Sequence, residues 1–162
     1  MQKITPFLWF DRNCEEAMNF YVSVFKDAKI HSIKRYPESG LEGPMKGFEG
    51  KVLTGVFELF GQKFMALDGG PIFQPNESVS FLVECKDQKE IDYYWDALTA
   101  NGGQESQCGW LKDKYGFSWQ IVPPMEQFLN GPDSEGSRRA TRAMLGMNKI
   151  VIADLEKAYK GE

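Results

Sequence analysis

The first apolar run of the chain, ITPFLWF, stops at Asp11-Arg12-Asn13 and gives way to a helical pattern. Asn13 stands where a cap belongs, Glu16 takes the capping-box position, and Ala17, Phe20, Val24 and Phe25 fall on one stripe. KIHSIKRY then alternates as a strand does, a Gly- and Pro-rich loop fills Ser39 to Gly50, and KVLTGVFELF and QKFMALD read as a hairpin turned at Gly61-Gln62. The first part of the chain thus predicts strand, helix and three strands.

The same order returns in the second half. Adding 74 carries Asn13 to Asp87, Glu16 to Glu90, Ala17 to Ile91, Phe20 to Tyr94, Tyr21 to Trp95 and Val24 to Leu98, so that cap and stripe both recur. The strands before them align as Phe7 on Phe81 and Leu8 on Leu82, and the closing hairpins as Gly61 on Gly116 and Phe64 on Trp119, with a shorter middle near Gly102 to Cys108. A mixed repeat of this length is two copies of one supersecondary unit rather than a solenoid. After Pro123-Pro124 the pattern turns helical in MEQFL, SEGSRRATRAML and KIVIADLEKAYKG. The expected organisation is a single α+β domain over residues 1–162, with a first module at 1–73, a second at 74–124 and a helical tail at 125–162.

Composition narrows the possible functions. A chain of 162 residues, 42% hydrophobic and 14% aromatic, suits a folded protein. Its formal charge of −4 offers no basic field for a phosphate backbone, which sets nucleic acid aside as a partner. Cys14, Cys85 and Cys108 are odd in number and lack CxxC spacing, so they announce neither a zinc site nor a disulfide framework. MQKITPFLWFDRN has no signal-peptide core, and no run reaches membrane-spanning length, so the expected location is cytoplasmic.

Gln120 raises a sharper question. In WLKDKYGFSWQIVP it lies near the end of a strand whose neighbours are almost all apolar, and a buried amide needs partners. Either it is satisfied within the fold, by backbone or by Ser80, or it faces a cavity.

The tandem βαβββ units, each with a capped helix and a Gly-turned hairpin, resemble the vicinal oxygen chelate (glyoxalase/bleomycin-resistance) superfamily. ITPFLWFDRNCEEAMNFYVSVFKDAKI, CGWLKDKYGFSWQIVP and AMLGMNKIVIADLEKAY are similar to its PhnB-like group, whose members often carry the name 3-demethylubiquinone-9 3-methyltransferase. The resemblance implies tandem βαβββ modules forming a half-open curved mixed sheet, a homodimer, and in many relatives a divalent metal held by the opening and closing strands. Transferred here, those ligand positions fall on Pro6, Met65, Ser80 and Gln120. Proline and methionine offer no hard-metal donor, and glutamine supplies a neutral oxygen, so neither a metal nor any other cofactor is expected. His31, the only histidine, lies on the second strand, away from these positions.

Four functional readings follow. The first is a metal-independent small-molecule site in the concave sheet, lined by Gln120, Ser80, Met65, Trp110, Leu8, Phe10 and Leu82, with Val122 and Phe60 nearby. The second is the methyltransferase of the family name; against it, LDGGPIF runs into proline rather than a helix and cannot form a dinucleotide-type glycine turn. The third is acid–base chemistry by Asp68, Glu84 or Asp113, or a weak nucleophile among the cysteines. The fourth is a dimeric scaffold without small-molecule chemistry.

Overall fold

In each half of the chain a short strand leads into a helix, and three further strands return beside it, the order that the apolar pattern predicts. The computed structural model describes residues 2–162. They form two units, one reaching to Gln74 and one spanning Pro75–Glu162. The first contains β1 (Phe7–Phe10), α1 (Cys14–Val24), β2 (Lys29–Arg35), β3 (Val52–Leu59) and β4 (Gln62–Asp68) in a sheet of order β1-β4-β3-β2. The second contains β5 (Ser80–Glu84), α2 (Gln88–Thr99), β6 (Gln104–Glu105), β7 (Trp110–Lys112) and β8 (Ser118–Val122) in the order β5-β8-β7-β6. In both sheets the first strand runs parallel to the last and the other pairs are antiparallel, an α+β arrangement with open edges. Helices α3 (Glu126–Leu129), α4 (Ser134–Leu145) and α5 (Ile152–Lys160) complete the second unit. No helix among the described residues is long and apolar enough to cross a membrane.

One face of each sheet is covered by its helix. In the first unit Cys14, Ala17, Met18, Tyr21 and Val24 are buried on α1. Tyr21 stacks on Phe57 at 5.9 Å, and Phe57 on Phe64 at 5.2 Å. The buried stripe is therefore centred on Tyr21 and leaves Phe20 at its margin, one position round from the predicted line. In the second unit Ile91, Tyr94, Trp95 and Leu98 are buried on α2, as the repeat predicts. Strand neighbours of these faces belong to the core too, including Leu8 and Phe10 at 6% and 4% exposure.

Two corrections concern local chemistry. The first hairpin turns at Phe60-Gly61, one residue earlier than predicted, because Leu59 pairs with Gln62 and both turn residues have positive φ, at 48° and 76°. Phe60 packs edge-on against Phe25 at 5.7 Å instead of lining a pocket. The second correction is at the start of α1, where the Asn13 side chain makes no capping bond. Asp68, at the end of β4, does that work from a distance. Its Oδ1 accepts from Cys14 N–H at 2.9 Å, and its Oδ2 accepts from Val52 N–H at 3.0 Å. A charged acceptor at a helix N-terminus is favoured by the exposed amides and by the helix dipole. The second unit uses local chemistry instead: Glu90 N–H donates to Asp87 Oδ1, and Lys86 N–H donates to the Glu90 carboxylate, both at 2.9 Å.

Asp68→Ala should therefore cost about 2 to 4 kcal/mol, because two buried N–H groups lose their acceptor together. Asn13→Ala should change stability by no more than about 0.5 kcal/mol. Denaturant unfolding of both variants measures this, and equal losses would contradict the assignment of the cap to Asp68.

Candidate functional site

The face of the second sheet turned away from α2 carries Ser80, Leu82 and Glu84 from β5, Ser118, Gln120 and Val122 from β8, and Trp110 and Lys112 from β7. Alternation along each strand and the register across them put these residues on one side. Leu82, Gln120 and Trp110 are direct neighbours in one row across the three strands, and Ser80, Ser118 and Lys112 form the next. Gln120 is half-buried and donates from Nε2 to Ser80 Oγ at 2.8 Å. Its amide thus has one partner inside the fold, while its Oε1 and the Trp110 indole N–H have none among the described residues. Ser118 Oγ is buried and also lacks a hydrogen-bond partner. Leu82 lies open at 58% exposure.

A small cavity of about 120 Å³ adjoins these rows, bordered by Trp110, Lys112, Ser118, Gln104 and Glu77. Lys112 pairs with Glu77, and this hydrogen bond holds the Glu77 carboxyl below the usual carboxylate range. Ser118 and Lys112 were legible in principle, since each sits two residues from a candidate and so shares its face. Glu77 lies in the loop before β5, where no periodicity points to it.

The predicted site residues divide. Gln120, Ser80, Trp110 and Leu82 come together on this face. Met65 lies on the corresponding face of the first sheet, beside Phe7 in the parallel register. Leu8 and Phe10 do not reach either open face: Leu8 pairs with Ala66, and Phe10 with Asp68, both on the helix-covered side. The open side of β1 carries Phe7 and Trp9 instead. Pro6 serves the ladder, its carbonyl accepting from Met65 N–H at 2.9 Å.

His31, Asp68 and Asp113 are engaged in bonds away from the open face. His31 lies 3.0 Å from Glu58 in a surface pair that holds the Glu58 carboxyl low. Among the described residues no three His, Cys, Asp or Glu side chains converge to hold a metal. At the ligand positions the resemblance implies, the donors are a thioether, a hydroxyl and a neutral amide, which do not fit a divalent cation. Asp68 is consumed by its two backbone bonds. Asp113 is likewise buried, accepting from Tyr115 N–H, Phe117 N–H and Trp119 Nε1 at 2.9, 3.1 and 2.8 Å. The LDGG segment is a packing joint: a Cβ on Gly69 would stand 2.2 Å from the Trp9 ring, and Trp9 Nε1 donates to the Gly70 carbonyl at 2.8 Å. Of the three carboxylates considered for acid–base work, only Glu84 is exposed on the open face.

Against this geometry, the sequence matches the family described as 3-demethylubiquinone-9 3-methyltransferase over residues 2–122. The chain belongs to that family. Among solved structures it is similar to the putative 3-demethylubiquinone-9 3-methyltransferase, PhnB protein, from Bacillus cereus, at 40% identity over 75% of this chain and 99% of that one, with a TM-score of 0.63. Protein PA1353 from Pseudomonas aeruginosa shares the fold at 19% identity, over 76% and 97% of the two chains, with a TM-score of 0.61. No curated protein matches the chain in sequence. Family membership places it in the PhnB-like group of the vicinal oxygen chelate superfamily. The family match ends before α3, so the three C-terminal helices lie outside it.

Burial, and then the nearby Asp68 charge, push the Cys14 thiol far up, while burial pushes Cys85 up to about 12, with Glu90 and Asp87 adding to it. Both are fully buried, whereas Cys108 is partly exposed. Because the thiolate is the reactive form, iodoacetamide at mildly alkaline pH should modify Cys108 alone in the native protein, and all three thiols after denaturation. Peptide mass mapping checks this, and native labelling of Cys14 or Cys85 would contradict it.

Proposed function

We propose that this protein binds a small organic molecule on the open face of the second sheet, through neutral hydrogen bonds and apolar contact and without a metal. The observation that carries the reading is the Leu82–Gln120–Trp110 row. It joins an exposed aliphatic side chain, an amide with one oxygen unused and an indole with its N–H unused. Such a row suits a flat, weakly polar ligand with a hydrogen-bonding edge, since apolar walls with a few aimed polar groups are the usual make-up of a ligand site. Gln120 is held in position by Ser80, and a fixed amide loses little freedom when a ligand engages it.

The family name describes methyl transfer. The chain's own glycine pair does not offer a donor cradle, because Gly69 and Gly70 are committed to Trp9. Binding is therefore the reading that these residues support best.

Replacing Gln120 with leucine separates a ligand site from a closed core. The partner left behind, Ser80, is itself partly exposed and can turn to solvent. Gln120→Leu should cost no more than about 1 kcal/mol in stability, while weakening compounds selected by a thermal-shift panel on the parent protein by roughly 1 to 3 kcal/mol. A stability loss of about 2 to 3 kcal/mol with unchanged compound response would show that the amide closes a core.

A homodimer is the second part of the proposal. Edge strand β1 exposes Phe7 at 50%, and Phe73 and Val79, flanking β1 and β5, are exposed at 61% and 68%, more apolar edge than an isolated chain ordinarily leaves open. Sedimentation equilibrium at micromolar concentration should return twice the chain mass, and a single-chain mass throughout would remove this part of the proposal.

A further inference from the structure

The C-terminal helices carry a groove of about 650 Å³ between the end of α3 and one side of α4, within the size range of small-molecule sites. Ser134, Ser137, Arg138, Thr141, Arg142 and Leu145 line its α4 side, and their spacing of three and four residues makes them a single stripe. Helix α5 packs on a different side of α4. There Arg139 donates to the carbonyls of Ala158 and Tyr159 at 2.9 and 2.5 Å, and Ala140 is buried, so the groove stripe stays uncovered by α5. Leu129 and Leu145, at 37% and 59% exposure, add apolar surface to its walls.

Two groups in this groove lack the partners that their neighbours have. Ser137 is 7% exposed, and its Oγ is buried without a hydrogen-bond partner, although its carbonyl accepts from Thr141 Oγ1 at 2.8 Å. A buried hydroxyl left unpaired is unfavourable, and native proteins ordinarily satisfy it. Arg142 makes no ion pair among the described residues, whereas Arg138 pairs with Glu135 and Arg139 with Asp133. The guanidinium fork is suited to a carboxylate, and Arg142 follows Ser137 by five residues, about 7.5 Å along the axis and at the other margin of the groove stripe, a span that an extended arginine side chain bridges.

We propose that this groove is a second binding site, taking a small amphiphilic carboxylate. The head group is held by Ser137 Oγ and the Arg142 guanidinium, and the apolar body lies against Leu129 and Leu145. The site lies outside the residues that the family match covers, and it is independent of the sheet face.

Octanoate tests the proposal, with 1-octanol as the neutral control, both titrated into the full chain and followed by amide NMR shifts. Octanoate should bind saturably with shifts centred on residues 129–145, and octanol should bind about tenfold more weakly or less. Arg142→Gln and Ser137→Ala should each weaken octanoate by about fivefold to tenfold without lowering the melting temperature, since neither removes a contact that the fold uses. Ser137→Ala keeps the test secure, because alanine is at home in a helix and removes only the orphan group. Absence of saturable binding in the millimolar range, equal binding of octanol, unchanged affinity in both variants, or shifts centred elsewhere would each overturn the proposal.

Discussion

In each unit the first strand lies parallel to the last, and that pairing decides which side of the sheet every later side chain occupies. A strand has a period of two, so a shift of one residue would exchange the covered and open faces completely. The register sets Phe7 beside Met65 in one unit and Leu82 beside Gln120 in the other. From it follow the burial of Leu8, Phe10 and Val83 under the helices and the outward placement of Leu82, Gln120 and Trp110. The candidate site is a consequence of this pairing rather than of any local motif.

The two units secure the pairing by different chemistry. In the first, Asp68 ends the closing strand and reaches both the start of α1 and the start of β3, so one carboxylate ties three elements together. In the second, α2 is capped by its own sequence through Asp87 and Glu90, and the buried carboxylate, Asp113, organises the β7–β8 turn and the Trp119 indole. The sequence offers both aspartates as possible acids. Their burial and full hydrogen bonding make them structural, which leaves Glu84 as the one candidate carboxylate of the three on the open face.

Much of this was legible in the residue pattern. The tandem order of elements, the stripe on α2 and the bounds of α4 follow from periodicity, while the facing of Ser80 and Gln120 follows from the resemblance, with strand alternation adding Leu82 to the same side. The misplacement of Leu8 and Phe10 has a definite origin. Anchoring the repeat on the helix caps aligns Leu8 with Leu82, but the structure aligns it with Val83, which is buried as Leu8 is. The connection from the last buried strand residue to the cap position is one residue shorter in the second unit, Cys85 to Asp87 against Phe10 to Asn13. A single missing residue in a loop leaves the helix alignment intact and inverts the strand alignment. The Asp68 cap was hidden for another reason: its partners lie 54 and 16 residues away, and no local pattern records them.

The Leu82–Gln120–Trp110 row faces outward, and it is the surface that we propose a ligand occupies. Titration of a fragment library into isotopically labelled protein, observing the Gln120 side-chain amide and the Trp110 indole N–H together, measures this most directly. At least one fragment should move both signals and the Leu82 methyls with one common binding curve, leaving the Leu8 methyls unchanged. Fragments that bind the protein yet leave the Gln120 and Trp110 signals still, or that move the Leu8 methyls with them, would contradict it.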